Sequence, residues 1–273
     1  MIKFAIYLFN LILRCHQGQI LERAASLTYR VLLAFFPFLI FLISLLAMLD
    51  VDESAILEGL FLALPGDISY LVYGFMKELG QNRNAGLMST ALFFSVYNGS
   101  NGFRAIVRIT NRAYGAENRR GLAAQIGLSL LLMLLFSVSL TLMLGLLVFG
   151  RQLLGALFPG GHELLLTMAG GSGALMLLTL VTALIYRLAG GMPLPLRHIL
   201  PGAIFTVMAW VAVSGGFGFA ISNFTQYPVV YGSMAGVFAL ILWLNIVATL
   251  LLVGNEANVV LREYYPNAQK ATE

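Results

Sequence analysis

The sequence predicts an all-α membrane protein, a polytopic bundle of six transmembrane helices with both termini in the cytoplasm. Of its 273 residues, 59% are hydrophobic and only 10% are charged, whereas soluble domains average about 45–50% apolar and about 25% charged residues. The apolar residues form long continuous runs, unlike the alternating pattern of β-barrel strands. In addition, most of the positive charge falls on one side of the predicted membrane. A soluble globular enzyme and a disordered chain are both excluded by this composition.

Six apolar segments are long enough to cross a bilayer as helices. About 20 apolar residues span the roughly 30 Å of hydrocarbon in a membrane. The predicted spans are residues 31–49, 86–109, 122–150, 164–189, 199–221 and 233–253. Pro37 is expected to kink the first span. We predict a single integral membrane domain over residues 1–273, with a cytoplasmic tail at 254–273.

The connections between these spans differ sharply in positive charge. Thirteen of the 16 Lys and Arg residues fall on the side of the termini. They are Lys3, Arg14, Arg23, Arg30, Arg104, Arg108, Arg112, Arg119, Arg120, Arg187, Arg197, Arg262 and Lys270, against Lys77, Arg83 and Arg151 on the other side. Because cytoplasmic loops carry the excess of Lys and Arg, both termini are predicted to be cytoplasmic. Attraction to anionic lipids of the inner leaflet explains this basic collar, and we expect no nucleic-acid partner.

Two segments are predicted to lie outside the spans. Residues 1–30 are expected to form an amphipathic helix at the cytoplasmic interface, the alternative being a tail that leads into the first span. The outer loop at 50–85 carries six acidic residues against two basic ones. Its apolar residues recur at helical spacing on both sides of Pro65-Gly66, which predicts two short amphipathic helices. This loop is either a structural lid, or a gate or docking surface for an envelope protein partner.

The second span carries the most informative polar residues. Asn98, Asn101, Arg104, Arg108 and Asn111 are separated by 3, 3, 4 and 3 positions, so that all five fall on one helical face. Polar side chains within a membrane are costly and normally face the bundle interior or water. One interpretation is a polar cavity open to the cytoplasm, whose guanidinium groups hold a phosphate or carboxylate. The other is hydrogen bonding between helices, with arginines that reach the interface.

Glu256 is the acidic residue at the inner end of the last span. It lies at the predicted depth of Arg104 and Arg108, so an ion pair between the second and sixth spans is expected. Such a pair would offset part of the desolvation of each charged group. It would be either a purely structural pair or a switch that couples to transport.

Signatures of catalysis are sparse in this sequence. His162-Glu163 is not followed by a second histidine, so the zinc-protease pattern fails. The run Gly170-Gly171-Ser172-Gly173 has no histidine in another span to act as a base. Neither a P-loop nor a GxGxxG motif occurs. We therefore predict no catalytic residues, no metal site and no cofactor.

An ordered set of motifs resembles the BrkB/YihY family of bacterial inner-membrane proteins, often labelled ribonuclease BN-like. The set runs over nearly the whole chain. Its members are Ala24 to Tyr29, Pro37, Phe103 to Tyr114, Arg197, Leu200-Pro201-Gly202-Ala203, Trp210, Tyr231-Gly232-Ser233, Trp243 and Gly254-Asn255-Glu256-Ala257-Asn258. The family usually shows Gly-Ala-Glu near the end, and here Asn255 replaces that alanine.

The resemblance implies a six-helix protein of the bacterial inner membrane that is tied to envelope integrity, without a settled activity. The ribonuclease label conflicts with the residues, because the predicted cytoplasmic side offers no acid and histidine cluster for RNA hydrolysis. Our leading hypothesis is binding or movement of a lipid or amphipathic anion through the polar face of the second span. The alternatives are a scaffold that carries no cargo and, less favoured, an intramembrane enzyme. The oligomeric state stays open.

Overall fold

The structure is a computed structural model that describes residues 2–48, 68–70, 72–74, 77, 85–115, 121–157, 163–191, 195–223 and 235–264. Seven helices account for nearly all of these residues, and the described ranges contain no strand. The helices are α1 (Ile2–Gln17), α2 (Ile20–Met48), α3 (Ala85–Ala113), α4 (Leu122–Leu157), α5 (Glu163–Ala189), α6 (Leu196–Asn223) and α7 (Ala235–Tyr264).

Four of these helices are long and apolar enough to cross a membrane. The qualifying segments are Leu122–Met143, Gly170–Ala189, Leu196–Ala220 and Ala235–Glu263. Large apolar side chains point outward from the bundle, with Met176 and Phe219 more than 70% exposed. A soluble protein rarely exposes so much apolar surface, whereas lipid accommodates it. The predicted all-α membrane protein is confirmed, while α2 and α3 are not among the four and the six-span topology stays a prediction.

The six long helices α2 to α7 pack as a ring in chain order, which α7 closes by packing on α2. α7 also contacts α1 and α3, so it touches more elements than its neighbours in the ring. The largest core cluster joins five helices through small and branched side chains, among them Ala24, Ile106, Leu132, Ile185 and Leu252. α7 is therefore the helix around which the polar features of the protein assemble.

The first 30 residues form two helices instead of one interfacial helix. α1 ends at Gln17, and the chain turns through Gly18 and Gln19, whose φ is +50°. α2 then begins at Ile20, so residues 20–30 belong to the long helix. α1 packs on α7 through Tyr7, Leu11 and Cys15. Its other apolar side chains, such as Phe9 and Ile12, are exposed, as an amphipathic helix at a membrane interface requires.

The last helix extends beyond the predicted span. Residues 254–260, expected in a cytoplasmic tail, lie within α7, and all seven are buried. The sequence becomes polar at Asn255 and Glu256, which is why hydropathy ends the span there. Contacts with α1 and α6 bury these polar residues, and a sequence pattern does not reveal such contacts.

The crossing of α6 and α7 depends on two glycines. A Cβ atom on Gly202 would lie 2.2 Å from the carbonyl oxygen of Gly254, and one on Gly254 would lie 1.9 Å from Oγ1 of Thr206. The two backbones can approach this closely only because both positions lack a side chain. Pro201, near the start of the span predicted at 199–221, lies inside α6, which begins at Leu196.

Several expectations fall wholly or partly outside the described residues. Most of the outer loop at 50–85 is not described, although Ile68 and Val72 are buried against Leu240 and Trp243. Tyr231 and Gly232 lie outside the described residues. Helical residues continue through Pro37, and the kink expected there stays a prediction.

Candidate functional site

A cavity of about 650 Å³ lies at the end of the bundle where α1, the last turn of α3 and the last turns of α7 meet. We call it the basal cavity. Polar and charged side chains dominate its lining. The lining residues are Arg14, Gln17, Gly18, Arg23, Arg112, Ala113, Tyr114, Gly115, Glu256, Val259, Arg262 and Glu263. Four arginines face two glutamates, so the lining carries an excess of positive charge.

Arg14 of α1 connects three helices at the edge of this cavity. Its Nη1 donates to Oε2 of Glu256 at 3.3 Å and lies 3.5 Å from the carbonyl oxygen of Ala113, at the end of α3. Its Nη2 donates to Oε1 of Glu263. Glu256 is almost fully buried, whereas Glu263 is exposed. A cation beside the final carbonyls of a helix also complements the negative end of the helix dipole.

The two carboxylates of the basal cavity are thus both bound by one arginine. Among the described residues, Arg23 and Arg112 form no ion pair with a carboxylate. The buried hydroxyl of Tyr114 also lines the cavity and has no hydrogen-bond partner among the described residues, and burial raises the pKa of this phenol. A space of this size with two such guanidinium groups and a buried donor can accept an anion.

The partner predicted for Glu256 is wrong. The carboxylate pairs with Arg14 and not with Arg104 or Arg108. The sequence pattern assigns Arg14 only to the basic collar. Where α1 lies is a tertiary feature that no local pattern specifies. One signal was present in the sequence, because Tyr7, Leu11, Arg14 and Gly18 recur at helical spacing. Tyr7, Leu11 and Arg14 lie on the less exposed face of α1, and Gly18 follows directly after its end.

The polar face predicted on the second span lies on α3, and its five members occupy different surroundings. Asn98 and Asn101 line a smaller cavity of about 170 Å³ with Ser26, Tyr29, Arg30 and Leu33 of α2. We call it the seam cavity. Nη2 of Arg104 donates to Oδ1 of Asn101, while Nε of Arg104 has no partner within the part of the chain that the structure describes. Arg108 is exposed.

Asn111 is buried at the other end of this face, close in sequence to the basal cavity. Its Oδ1 has no hydrogen-bond partner in the described ranges. Gly99 lies against the sulfur of Met133, and a Cβ atom on Gly102 would meet no neighbour within 4 Å. Within the described residues, no three His, Cys, Asp or Glu side chains converge in a group that could hold a metal ion.

A family model described as Virulence factor BrkB matches residues 11–273. The chain belongs to the BrkB family. This match over nearly the whole chain confirms the resemblance carried by the ordered motifs. Members of the family are named as membrane proteins, in agreement with the exposed apolar helices of this structure.

This BrkB-family chain has relatives of similar and of greater length. It is 34% identical over 256 residues to the ribonuclease-like protein YfkH of Bacillus subtilis, with 91% of each chain covered. It is 27% identical over 254 residues to a UPF0761 membrane protein of Chromobacterium violaceum, covering 86% of this chain and 57% of the relative. A UPF0761 membrane protein of Xanthomonas campestris is 35% identical over 89 residues, 32% of this chain and 21% of the relative. No solved structure matches the chain.

A second set of polar residues in the BrkB-family protein fixes the position of α7. The sequence analysis did not identify most of these residues as functional or structural. The hydroxyl of Tyr186 donates to the carbonyl oxygen of Leu251 at 2.6 Å and shares a hydrogen bond of 2.9 Å with Thr206. The backbone N–H of Gly202 donates to Oδ1 of Asn258 at 2.7 Å. These bonds join α5, α6 and α7, and they hold Glu256 at a constant position beside the basal cavity.

Other motif residues of the family have structural partners. The ring of Trp243 lies 6.5 Å from that of Trp210, and its Nε1 donates to Oγ of Ser214 at 3.1 Å. Arg197 lies in the first turn of α6 and is exposed. Tyr29 is also exposed, on the rim of the seam cavity. Trp243 therefore stabilises the α6–α7 contact, whereas Tyr29 stands at a polar cavity.

Proposed function

We propose that this BrkB-family protein binds the anionic headgroup of a lipid or other amphipathic anion in the basal cavity and passes it toward the opposite leaflet. The observation that carries the proposal is the way in which the charged residues of that cavity are paired. Arg14 engages both carboxylates, which leaves Arg23 and Arg112 facing a space of about 650 Å³. A phosphate there would receive charge-assisted hydrogen bonds from planar guanidinium groups.

The polar face of α3 supports the second half of this proposal. Arg112, Arg108 and Arg104 are separated by four positions each, so they form a row on one face of the helix. Asn101 and Asn98 continue that face to the seam cavity. A headgroup that leaves Arg112 would meet Arg108 after one helical turn, about 6 Å along the helix axis. Glu256 stays paired with Arg14 and leaves this row of arginines to the cargo.

We further propose that the protein lies in the bacterial inner membrane with six spans and both termini in the cytoplasm, where it contributes to envelope integrity. α2 and α3 contain 29 residues each, which corresponds to about 43 Å of helix and is long enough to span a bilayer. The basal cavity would then face the anionic inner leaflet. A fusion of green fluorescent protein to the C-terminus should be fluorescent, and a fusion of alkaline phosphatase there should be inactive.

Lipid movement in liposomes tests the transport proposal directly. Purified protein is reconstituted with a phospholipid whose headgroup carries a fluorophore, and the outer leaflet is quenched with dithionite. We expect the protein to accelerate loss of the protected inner-leaflet signal, and Arg112→Gln and Arg108→Ala to reduce that acceleration. Arg187→Gln is the matched control, because Arg187 is an exposed arginine near the end of α5 that lines neither cavity.

Binding is measured separately on the same proteins by titration with a short-chain anionic phospholipid in detergent. Loss of one charge-assisted hydrogen bond should weaken binding by about tenfold in Arg112→Gln. Movement that equals that of empty liposomes, with folded protein, would exclude unpowered movement of this lipid. Equal binding by wild type and Arg112→Gln would exclude the basal cavity as the headgroup site.

A further inference from the structure

The seam cavity lies between α2 and α3 and differs from the basal cavity in composition and in exposure. It contains one arginine, Arg30, with the two amides Asn98 and Asn101 and the hydroxyls of Ser26 and Tyr29. Of the residues that the structure describes, no Asp or Glu lines it. Among the described residues Arg30 forms no ion pair with an acid. The chemistry therefore matches a small anion that carries one negative charge and several hydrogen-bond acceptors.

The rim of the seam cavity is apolar and exposed to the outside of the bundle. Tyr29 is 65% exposed and Leu33 is 46% exposed. On α3, Tyr97 and Phe94 are also more than half exposed. Phe94 lies one helical turn before Asn98, and Tyr97 lies one turn before Asn101. A polar cavity that opens between apolar side chains on the lipid-facing surface fits a molecule with a charged head and hydrocarbon chains.

We propose that the seam cavity is a second, lateral binding site for an anionic phospholipid. The phosphodiester would accept hydrogen bonds from Arg30, Asn98 and Asn101, and the acyl chains would stay outside, against Leu33, Tyr97 and Phe94. The inference rests on the proposed function for the class of cargo, and it adds a separate place where that cargo is held.

The position of this site along the helices explains why two sites are useful. Asn101 of the seam cavity and Arg112 of the basal cavity are 11 positions apart on α3, which corresponds to about 16 Å. On α2, Arg23 lines the basal cavity, and Ser26 and Arg30 line the seam cavity, at the spacing of one helical face. Both cavities therefore draw side chains from α2 and α3 at two depths, and the basal cavity is completed by residues of α1 and α7.

Photo-crosslinking in lipid nanodiscs tests the site. The protein is embedded in phosphatidylcholine that contains a small fraction of phosphatidylglycerol with a diazirine in one acyl chain, and adducts are mapped by mass spectrometry. We expect adducts on Leu33, Tyr97 and Phe94 to exceed those on Met176 and Leu180 of α5, which are equally exposed apolar residues. Arg30→Gln should reduce that excess by about tenfold, and Arg30→Lys should retain most of it.

Three further arms separate this site from its alternatives. Arg112→Gln and Arg187→Gln should leave the adducts at the seam unchanged, so a failed basal site and a failed seam site give different results. Glycerol 3-phosphate in millimolar excess should not displace the lipid, since displacement would indicate a site for a free phosphate ester. A diazirine-labelled phosphatidylcholine should show a smaller excess, because its choline cation offsets the negative charge that Arg30 binds. Uniform adducts over α3 and α5, or an excess that persists in folded Arg30→Gln, would overturn the proposal.

Discussion

Arg14 in the first helix binds Glu256 in the last, with Nη1 and Oε2 3.3 Å apart, and the two residues are 242 positions apart in sequence. The carboxylate is almost fully buried, and the guanidinium is about one-third exposed. Neighbouring contacts support the pair, since the hydroxyl of Tyr7 donates to the carbonyl oxygen of Ala257 at 3.2 Å. This contact fixes α1 across the end of α7 and forms one wall of the basal cavity.

Glu256→Gln should destabilise the protein more than Glu263→Gln does. The first substitution removes the carboxylate that binds Arg14 and leaves a partly buried cation, which should lower the free energy of unfolding by about 1–3 kcal/mol. The second removes an exposed partner, and surface pairs contribute below about 1 kcal/mol. Thermal unfolding in detergent measures both effects. Equal melting temperatures for the two variants would contradict the structural role of this pair.

Cys15 should react slowly with thiol reagents until the pH is high. Burial and, to a smaller extent, the nearby Glu256 carboxylate together raise the pKa of this thiol to about 11. Only the thiolate reacts, so at pH 9 labelling should be about eightyfold slower than for a free cysteine, whose pKa is about 8.5.

The same labelling measurement on Glu256→Gln isolates the contribution of the carboxylate to the pKa of Cys15. Removing its negative charge should lower the pKa of Cys15 and speed labelling at pH 9. Because Cys15 is the sole cysteine of the chain, total incorporation of maleimide reports on this site alone. Denatured protein is the reference for an unshielded thiol. A labelling rate in the folded protein equal to that reference would show that α1 does not pack on α7 as described.

Gly202→Ala should be strongly destabilising, whereas Gly215→Ala on the same helix should be tolerated. A Cβ atom at Gly202 would overlap the backbone of α7, while one at Gly215 would meet nothing within 4 Å. Overpacking a tight contact costs about 1–3 kcal/mol, and the lack of room on both backbones favours the upper part of that range. The comparison requires only the melting temperature of each variant. Equal melting temperatures for Gly202→Ala and Gly215→Ala would contradict the close crossing of α6 and α7.

Tyr186→Phe should lower the stability without changing the shape of the core. The ring of Tyr186 is almost fully buried, and its hydroxyl bonds to Thr206 and to the carbonyl oxygen of Leu251. Phenylalanine keeps the ring and loses both hydrogen bonds, so we expect a cost of about 1–2 kcal/mol. Tyr97→Phe serves as the control because Tyr97 is exposed. A destabilisation by Tyr97→Phe as large as that by Tyr186→Phe would argue against this network.

Hydropathy alone located the long helices of the described bundle. For the majority of helix ends, the predicted and observed positions differ by only a few residues. The predicted spans at 122–150 and 164–189 correspond to α4 (Leu122–Leu157) and α5 (Glu163–Ala189). Hydropathy succeeds there because a helix in lipid must be apolar over its whole length. It failed at both ends of the chain, where α1 is separate from α2 and α7 continues to Tyr264.

The sequence by itself determined the class of protein, its family and the helical face that carries Asn98 to Asn111, because these follow from composition, motif order and the period of a helix. Only the tertiary structure decided which charges meet. It paired Glu256 with Arg14, and it placed Asn98 and Asn101 opposite α2 rather than in the basal cavity. The physical reason is that periodicity specifies a direction around one helix axis, whereas a cavity or an ion pair depends on which neighbouring helix occupies that direction.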